Sequence, residues 1–124
     1  MERLSVDYES NVVKAIFDNN FKDEDFKKFA NDILNKVQTS GKKKLLYDTR
    51  GLKVMSQEIQ SWINEFWFPK AISMGISHMA FVVPENIFGE VSMKETNRKK
   101  EKEMGIDIKY FKCTNEAQEW VKNK

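Results

Sequence analysis

The sequence predicts an α/β domain built on a single five-stranded mixed sheet, with an antiparallel N-terminal hairpin, then parallel βα units, and four helices in all. Three observations carry that prediction. Residues 44–69 read KLLYDTRGLKVMSQEIQSWINEFWFP. Within them Leu45, Leu46 and Tyr47 form a continuous apolar run of the kind found in a strand covered on both faces. From Ser56 the period turns helical, with Ile59, Trp62, Ile63, Phe66 and Trp67 on one stripe. Along the rest of the chain strand-like and helix-like segments alternate in the order β-β-α-β-α-β-α-β-α, which implies parallel pairing through right-handed crossovers. The third observation is composition: 40% hydrophobic residues, with three Trp and nine Phe, supply a core for one domain spanning residues 1–124.

Each element has a local reason. Leu4, Val6 and Tyr8 alternate with Ser5 and Asp7, the pattern of a half-buried strand, and Glu9-Ser10-Asn11 forms a hairpin turn. Val12 to Phe17 carries apolar residues at both parities, so the second strand is expected to be more buried than the first. Asp23-Glu24-Asp25 places acids at a helix N-terminus. Phe26, Phe29, Ala30, Ile33, Leu34 and Val37 then form an unbroken helical stripe that Gly41 ends. Lys42-Lys43-Lys44 reads as a solvated loop rather than a phosphate site. In the central helix Pro69 is expected to end or kink the run, because Phe68 before it disfavours the α region. Ala71 to Met74 can add a turn before Gly75.

Met79 to Val83 is the next buried strand, closed by Pro84. Ile87, Phe88 and Val91 open a third helix, which becomes the charge run KETNRKKEKE after Met93. Ile106, Ile108 and Tyr110 alternate with charges, as an edge strand does. Thr114 is the expected N-cap of a last helix that buries Ala117, Trp120 and Val121. The burial pattern puts strands two, three and four in the centre of the sheet and one and five at its edges.

Charge and cysteine usage narrow the function classes. The chain has 21 Lys+Arg against 19 Asp+Glu, a net charge of only +2, which does not suit a dedicated nucleic-acid binder. One cysteine excludes an internal disulfide and a cysteine-based metal cluster, and fits a reducing, cytoplasmic setting. No apolar run approaches the roughly 18 residues of a membrane span, so an integral membrane protein is not expected.

No catalytic motif is present, and no metal or cofactor site is expected. His78, the single histidine, suits packing or capping at a strand end. Cys113, between the last strand and helix, reads as a small buried hydrophobe. The strand ends are more informative, because ligands of parallel sheets sit outside the carboxyl ends. Those ends carry Asp48, Thr49 and Arg50, then Glu85 and Asn86, then Cys113 and Thr114. Asp48, Arg50, Glu85 and Asn86 are the candidate binding surface. Trp67, Phe68, Phe88 and Met93 are the candidate lining of an apolar pocket.

The segments LLYDTRGL, SxxxxxWxxEFWxPKAxxMGI, HMAFVVPENIFGEVS and IKYFKCTNEAQEWV occur in that order. Together they resemble the SpoIIAA-like group of STAS-like domains over nearly the whole chain. The resemblance implies a mixed sheet whose βα units wind as a superhelix, with helices largely to one side. Its better-known members are anti-sigma-factor antagonists that bind a partner kinase and are switched by phosphorylation of a serine at a helix N-terminus. Others are suggested to bind lipids or similar hydrophobic ligands. Where the antagonists carry Asp-Ser-Ser-Gly, this chain reads Val54-Met55-Ser56-Gln57, so Ser56 is the candidate phosphoacceptor.

The leading expectation is a non-enzymatic regulatory or protein-interaction module. The alternative is a carrier or sensor of a small hydrophobic ligand. An enzyme would have only Asp48, Arg50 and His78 to work with. The partners left open are an unidentified protein, a lipid-like ligand and a second copy of the chain in a homodimer.

Overall fold

A computed structural model describes residues 3–9, 11–17, 22–51, 56–83 and 106–124. Five strands form one sheet in the spatial order β1-β2-β3-β4-β5: β1 Leu4–Asp7, β2 Val12–Ile16, β3 Lys44–Asp48, β4 His78–Val82 and β5 Asp107–Phe111. β1 runs antiparallel to β2 and the remaining pairs are parallel. Central and edge strands therefore fall where parity placed them. The hairpin closes at Asn11, whose φ of 59° puts it in the left-handed region that Asn tolerates.

The first helix, α1, spans Asp23–Ser40. Its N-terminal acids suit the positive end of the helix dipole. It stops at Gly41, which has φ 73° and donates its backbone N–H to the Val37 carbonyl. Phe26, Ala30, Ile33, Leu34 and Val37 face the sheet.

The central helix differs from the sequence-based expectation. It consists of α2 (Gln57–Trp62), a π turn (Ile63–Trp67) and α3 (Phe68–Ser73) without interruption. Pro69 does not end it, and Phe68 sits in the α region with φ −61° and ψ −46°. In the π turn the Phe68 N–H reaches back to the Ile63 carbonyl, five residues earlier. In a regular α-helix at roughly 100° per residue, Phe68 would point about 180° from Ile59, away from the core. The wider turn absorbs one residue and returns Phe68 and Ala71 to the inner face. Phe66 is that surplus residue. The predicted stripe placed it inside, but it is 62% exposed, whereas Phe68 is 1% exposed. Trp62, also on the predicted stripe, is only half-buried, with the Lys27 ammonium over its ring.

Alternating strand residues divide the core between two faces. On one, Val13, Ala15, Leu45, Tyr47, Met79, Phe81 and Ile108 pack against α1 and the central helix. On the other, Val12, Leu46, Ala80 and Val82 meet Ala117 and Val121 of α4, Thr114–Lys122. Among the described residues α1 and the central helix thus cover one face of the sheet and α4 the other. The expected third helix, from Ile87 onward, lies outside the described residues.

Candidate functional site

The strand ends form a clasped edge. Phe17 N–H donates to the Asp48 carbonyl, Thr49 N–H to that of Val82 and Val83 N–H to that of Phe111. The Thr49 hydroxyl also donates to the Val82 carbonyl. Asp48 is buried, and Arg50 holds it as a fork: Nε to Oδ1 at 2.9 Å and Nη2 to Oδ2 at 2.7 Å. The Arg50 backbone N–H adds a bond to Oδ1 at 3.3 Å. Burial alone would raise the Asp48 pKa. The side-chain and backbone bonds from Arg50, with the positive charges of Arg50 and Lys14, outweigh it and hold the carboxyl below its ordinary value. Asp48 therefore stays ionised, and the half-exposed guanidinium is fixed in direction. Glu85 and Asn86, the other half of the predicted surface, lie outside the described residues.

The strand order also bears on this surface. Crevices at carboxyl ends open where strand order reverses. Here the described strands run in sequence without reversal, so topology supplies no such crevice at Asp48.

Ser56 caps α2 as its position predicts. Its hydroxyl oxygen accepts the Ile59 N–H at 3.1 Å. The same hydroxyl donates to Asp23 Oδ2 at 2.9 Å, tying the start of α2 to the start of α1. Lys27 and Glu58 approach to 3.7 Å across the same two helices. The partner of Ser56 is thus an acid thirty-three residues away, a contact with no local sequence signal.

The aromatic candidates sit in the core. Trp67 donates its indole N–H to the Ala30 carbonyl at 3.0 Å and packs edge-on against Phe68, with ring centroids 5.2 Å apart. Phe88 and Met93 lie outside the described residues. Two buried polar atoms were not singled out from the sequence, one of them on Tyr47, whose ring lies 6.2 Å from that of Trp67. Tyr47 Oη and Asn64 Oδ1 are both buried without a hydrogen-bond partner among the described residues. Tyr47 ends the apolar run on the strand most buried at both parities, and that position was the available warning of an enclosed hydroxyl.

The remaining candidates are dispersed. His78 begins β4, four residues from the position paired with Asp48, hence roughly 13 Å along the strand direction. The Asp48, Arg50 and His78 set is therefore not assembled. His78 Nδ1 lies 2.8 Å from Ser77 Oγ, and its ring packs edge-on against Trp120. Cys113 is exposed rather than buried and stands at the N-cap of α4, one residue before the Thr114 expected there. Lys42 bonds Asn11 Oδ1 and Lys43 bonds the Met74 carbonyl, so two of the three lysines are engaged in loop contacts, and Lys44 begins β3. A polar depression of about 220 Å³ lies between Glu9 and α4 residues Asn115, Gln118, Glu119 and Lys122.

The family model described as SpoIIAA-like matches residues 12–122, from the second strand to the end of the last helix. The chain belongs to the SpoIIAA-like family. No curated protein matches it significantly. The family is consistent with a STAS-type regulatory domain, and such domains are generally non-enzymatic and often mediate protein interactions. No helix among the described residues of this SpoIIAA-like domain is long and apolar enough to cross a membrane.

Proposed function

We propose that this SpoIIAA-like domain is a regulatory module that binds a protein partner and performs no chemistry of its own, with Ser56 as the switch. The carrying observation is the hydroxyl of Ser56, which caps α2 and bonds Asp23 from an exposed position. Phosphate there would meet the favourable end of the helix dipole. It would also replace the Asp23 hydrogen bond with a contact between like charges. Arg50 is already committed to Asp48, so the modification would free the start of α1 from that of α2. A partner reading this surface would then bind one form, and the strand-end candidates Asp48, Arg50, Glu85 and Asn86 are proposed as a further surface for it. The setting is cytoplasmic, and a homodimer is one arrangement in which the surface could be used.

The test is a pull-down from source lysate with Ser56→Ala and Ser56→Asp baits, joined to phosphosite mapping of the native protein. Partner sets that differ between the baits support the switch. Identical sets with an unmodified Ser56 leave only a helix cap.

The second reading, a carrier of a small hydrophobic ligand, is favoured by the buried Tyr47 hydroxyl, which has no hydrogen-bond partner among the described residues and whose ring meets that of Trp67. Phe88 and Met93 would complete its lining. Native mass spectrometry of freshly purified protein would display a copurified ligand directly.

A further inference from the structure

β1 ends the strand order, and among the described residues no strand lies beyond it. Its pairing with β2 fixes where each backbone group points. Ile16 donates its N–H to the Arg3 carbonyl at 2.8 Å, and the register continues as Leu4 on Ala15, Ser5 on Lys14, Val6 on Val13 and Asp7 on Val12. In an antiparallel ladder only alternate pairs exchange hydrogen bonds. Arg3, Ser5 and Asp7 therefore direct their backbone groups at β2, whereas those of Leu4 and Val6 point out of the sheet edge. Side chains alternate too. Leu4 and Val6 pack against the core under α1 and the central helix, so Arg3, Ser5 and Asp7 stand on the opposite face. Neither proline nor lysine interrupts Leu4–Asp7, and such an edge is a template for a further strand.

We propose that β1 pairs antiparallel with β1 of a second copy of this chain, joining two sheets edge to edge about a two-fold axis. An axis at Ser5 sets Leu4 opposite Val6 of the second copy and Val6 opposite its Leu4. These are the residues whose backbone groups point outward, so each pair can exchange two hydrogen bonds. Their side chains would continue the apolar face of the sheet across the joint. The same register sets Arg3 against Asp7 of the second copy, twice by symmetry, and opposite charges facing each other across strands are favourable. Asp7 already accepts the Glu9 N–H and the Gln118 side-chain amide, both at 3.0 Å, and a carboxylate has acceptor capacity beyond two bonds. A slip of one ladder repeat sets Ser5 against Arg3 or against Asp7 and breaks both ion pairs. The strand is thus self-complementary in one register. This inference is independent of the Ser56 switch, which lies on the central helix.

The test is sedimentation velocity over a concentration series, with circular dichroism to verify folding. The wild type should show a monomer–dimer equilibrium. Val6→Pro removes an outward N–H and no bond to β2, a change that edge strands tolerate. It deletes two symmetry-related hydrogen bonds and should weaken the dimer about tenfold or more. Arg3→Asp and Asp7→Arg each bring like charges together in both pairs and should sediment as monomers. Mixed in equal amounts they should dimerise, because each strand then meets one of opposite sign. A wild type that stays monomeric throughout overturns the inference. So does a dimer that a folded Val6→Pro leaves unchanged, since the interface would then lie elsewhere. Folded charge variants that dimerise alone, or that fail to pair when mixed, overturn it as well. Should Val6→Pro not fold, the mixing experiment decides.

Discussion

The π turn makes a prediction that a regular α-helix reverses. Phe68 is buried and Phe66 largely exposed, although the periodicity of an unbroken helix puts Phe66 on the inner stripe. Truncating Phe68 to Ala should cost about 3–5 kcal/mol, the range for a core phenylalanine whose cavity only partly collapses. Truncating Phe66 should stay within about 0.5 kcal/mol, as at an exposed position. With a urea slope of roughly 1–3 kcal/mol per molar, the Phe68→Ala midpoint should fall by one molar or more while that of Phe66→Ala barely moves. A domain with about 5–15 kcal/mol in total could lose most of its folded population to such a truncation. Phe68→Leu, a smaller loss on the same side chain, keeps the comparison measurable. Urea unfolding followed by tryptophan fluorescence and by far-UV circular dichroism gives the midpoints. Equal midpoints, or a larger drop for Phe66→Ala, would refute the phase assigned to the central helix.

Ser56→Ala should destabilise by about 1 kcal/mol through loss of the α2 cap, read as a shifted urea midpoint. Ser56→Asp keeps an acceptor but sets it against Asp23, so its deficit should narrow as salt is added. Because the Asp48 pKa is lowered on folding, its contribution is present above the ordinary carboxylate value and is lost as pH falls through the lower folded value. Stability measured below about pH 4 should therefore fall less steeply with acid in Asp48→Asn than in the wild type. An Asp48→Asn curve parallel to the wild type would count against that linkage. Gly41→Ala should cost about 1 kcal/mol from left-handed backbone strain alone, because an added Cβ at φ 73° meets nothing within 4 Å.

The parts of the fold that can be read from sequence are those set by local periodicity. Both parities of Val12–Ile16 and Lys44–Asp48 are mainly apolar, and these strands are interior; Asp107 and Lys109 interrupt β5, and it is an edge. The Ser56 cap follows from residue type and position. The central helix was misread at Phe66 because a stripe template assumes 3.6 residues per turn throughout. Nothing local announces that one turn will widen to bring Phe68 inward. Pro69, which argues for a break, sits instead inside the continuous helix, directly after the π turn. The link from Ser56 to Asp23 and the enclosed Tyr47 hydroxyl depend on which elements meet, so they appear only in three dimensions.

The sequential strand order has a consequence in time. No strand has to insert between two earlier ones, so during synthesis the sheet can grow at a single moving edge. Once the hairpin and α1 are made, β3 can join β2, but its far side stays open until His78–Val82 has been synthesised. In that interval Leu45, Leu46 and Tyr47, all buried in the finished domain, line an unpaired strand edge, the kind of surface on which nascent chains associate wrongly. The hazard passes outward one strand at a time and ends at β5, whose exposed Asp107 and Lys109 make a poor template for another strand.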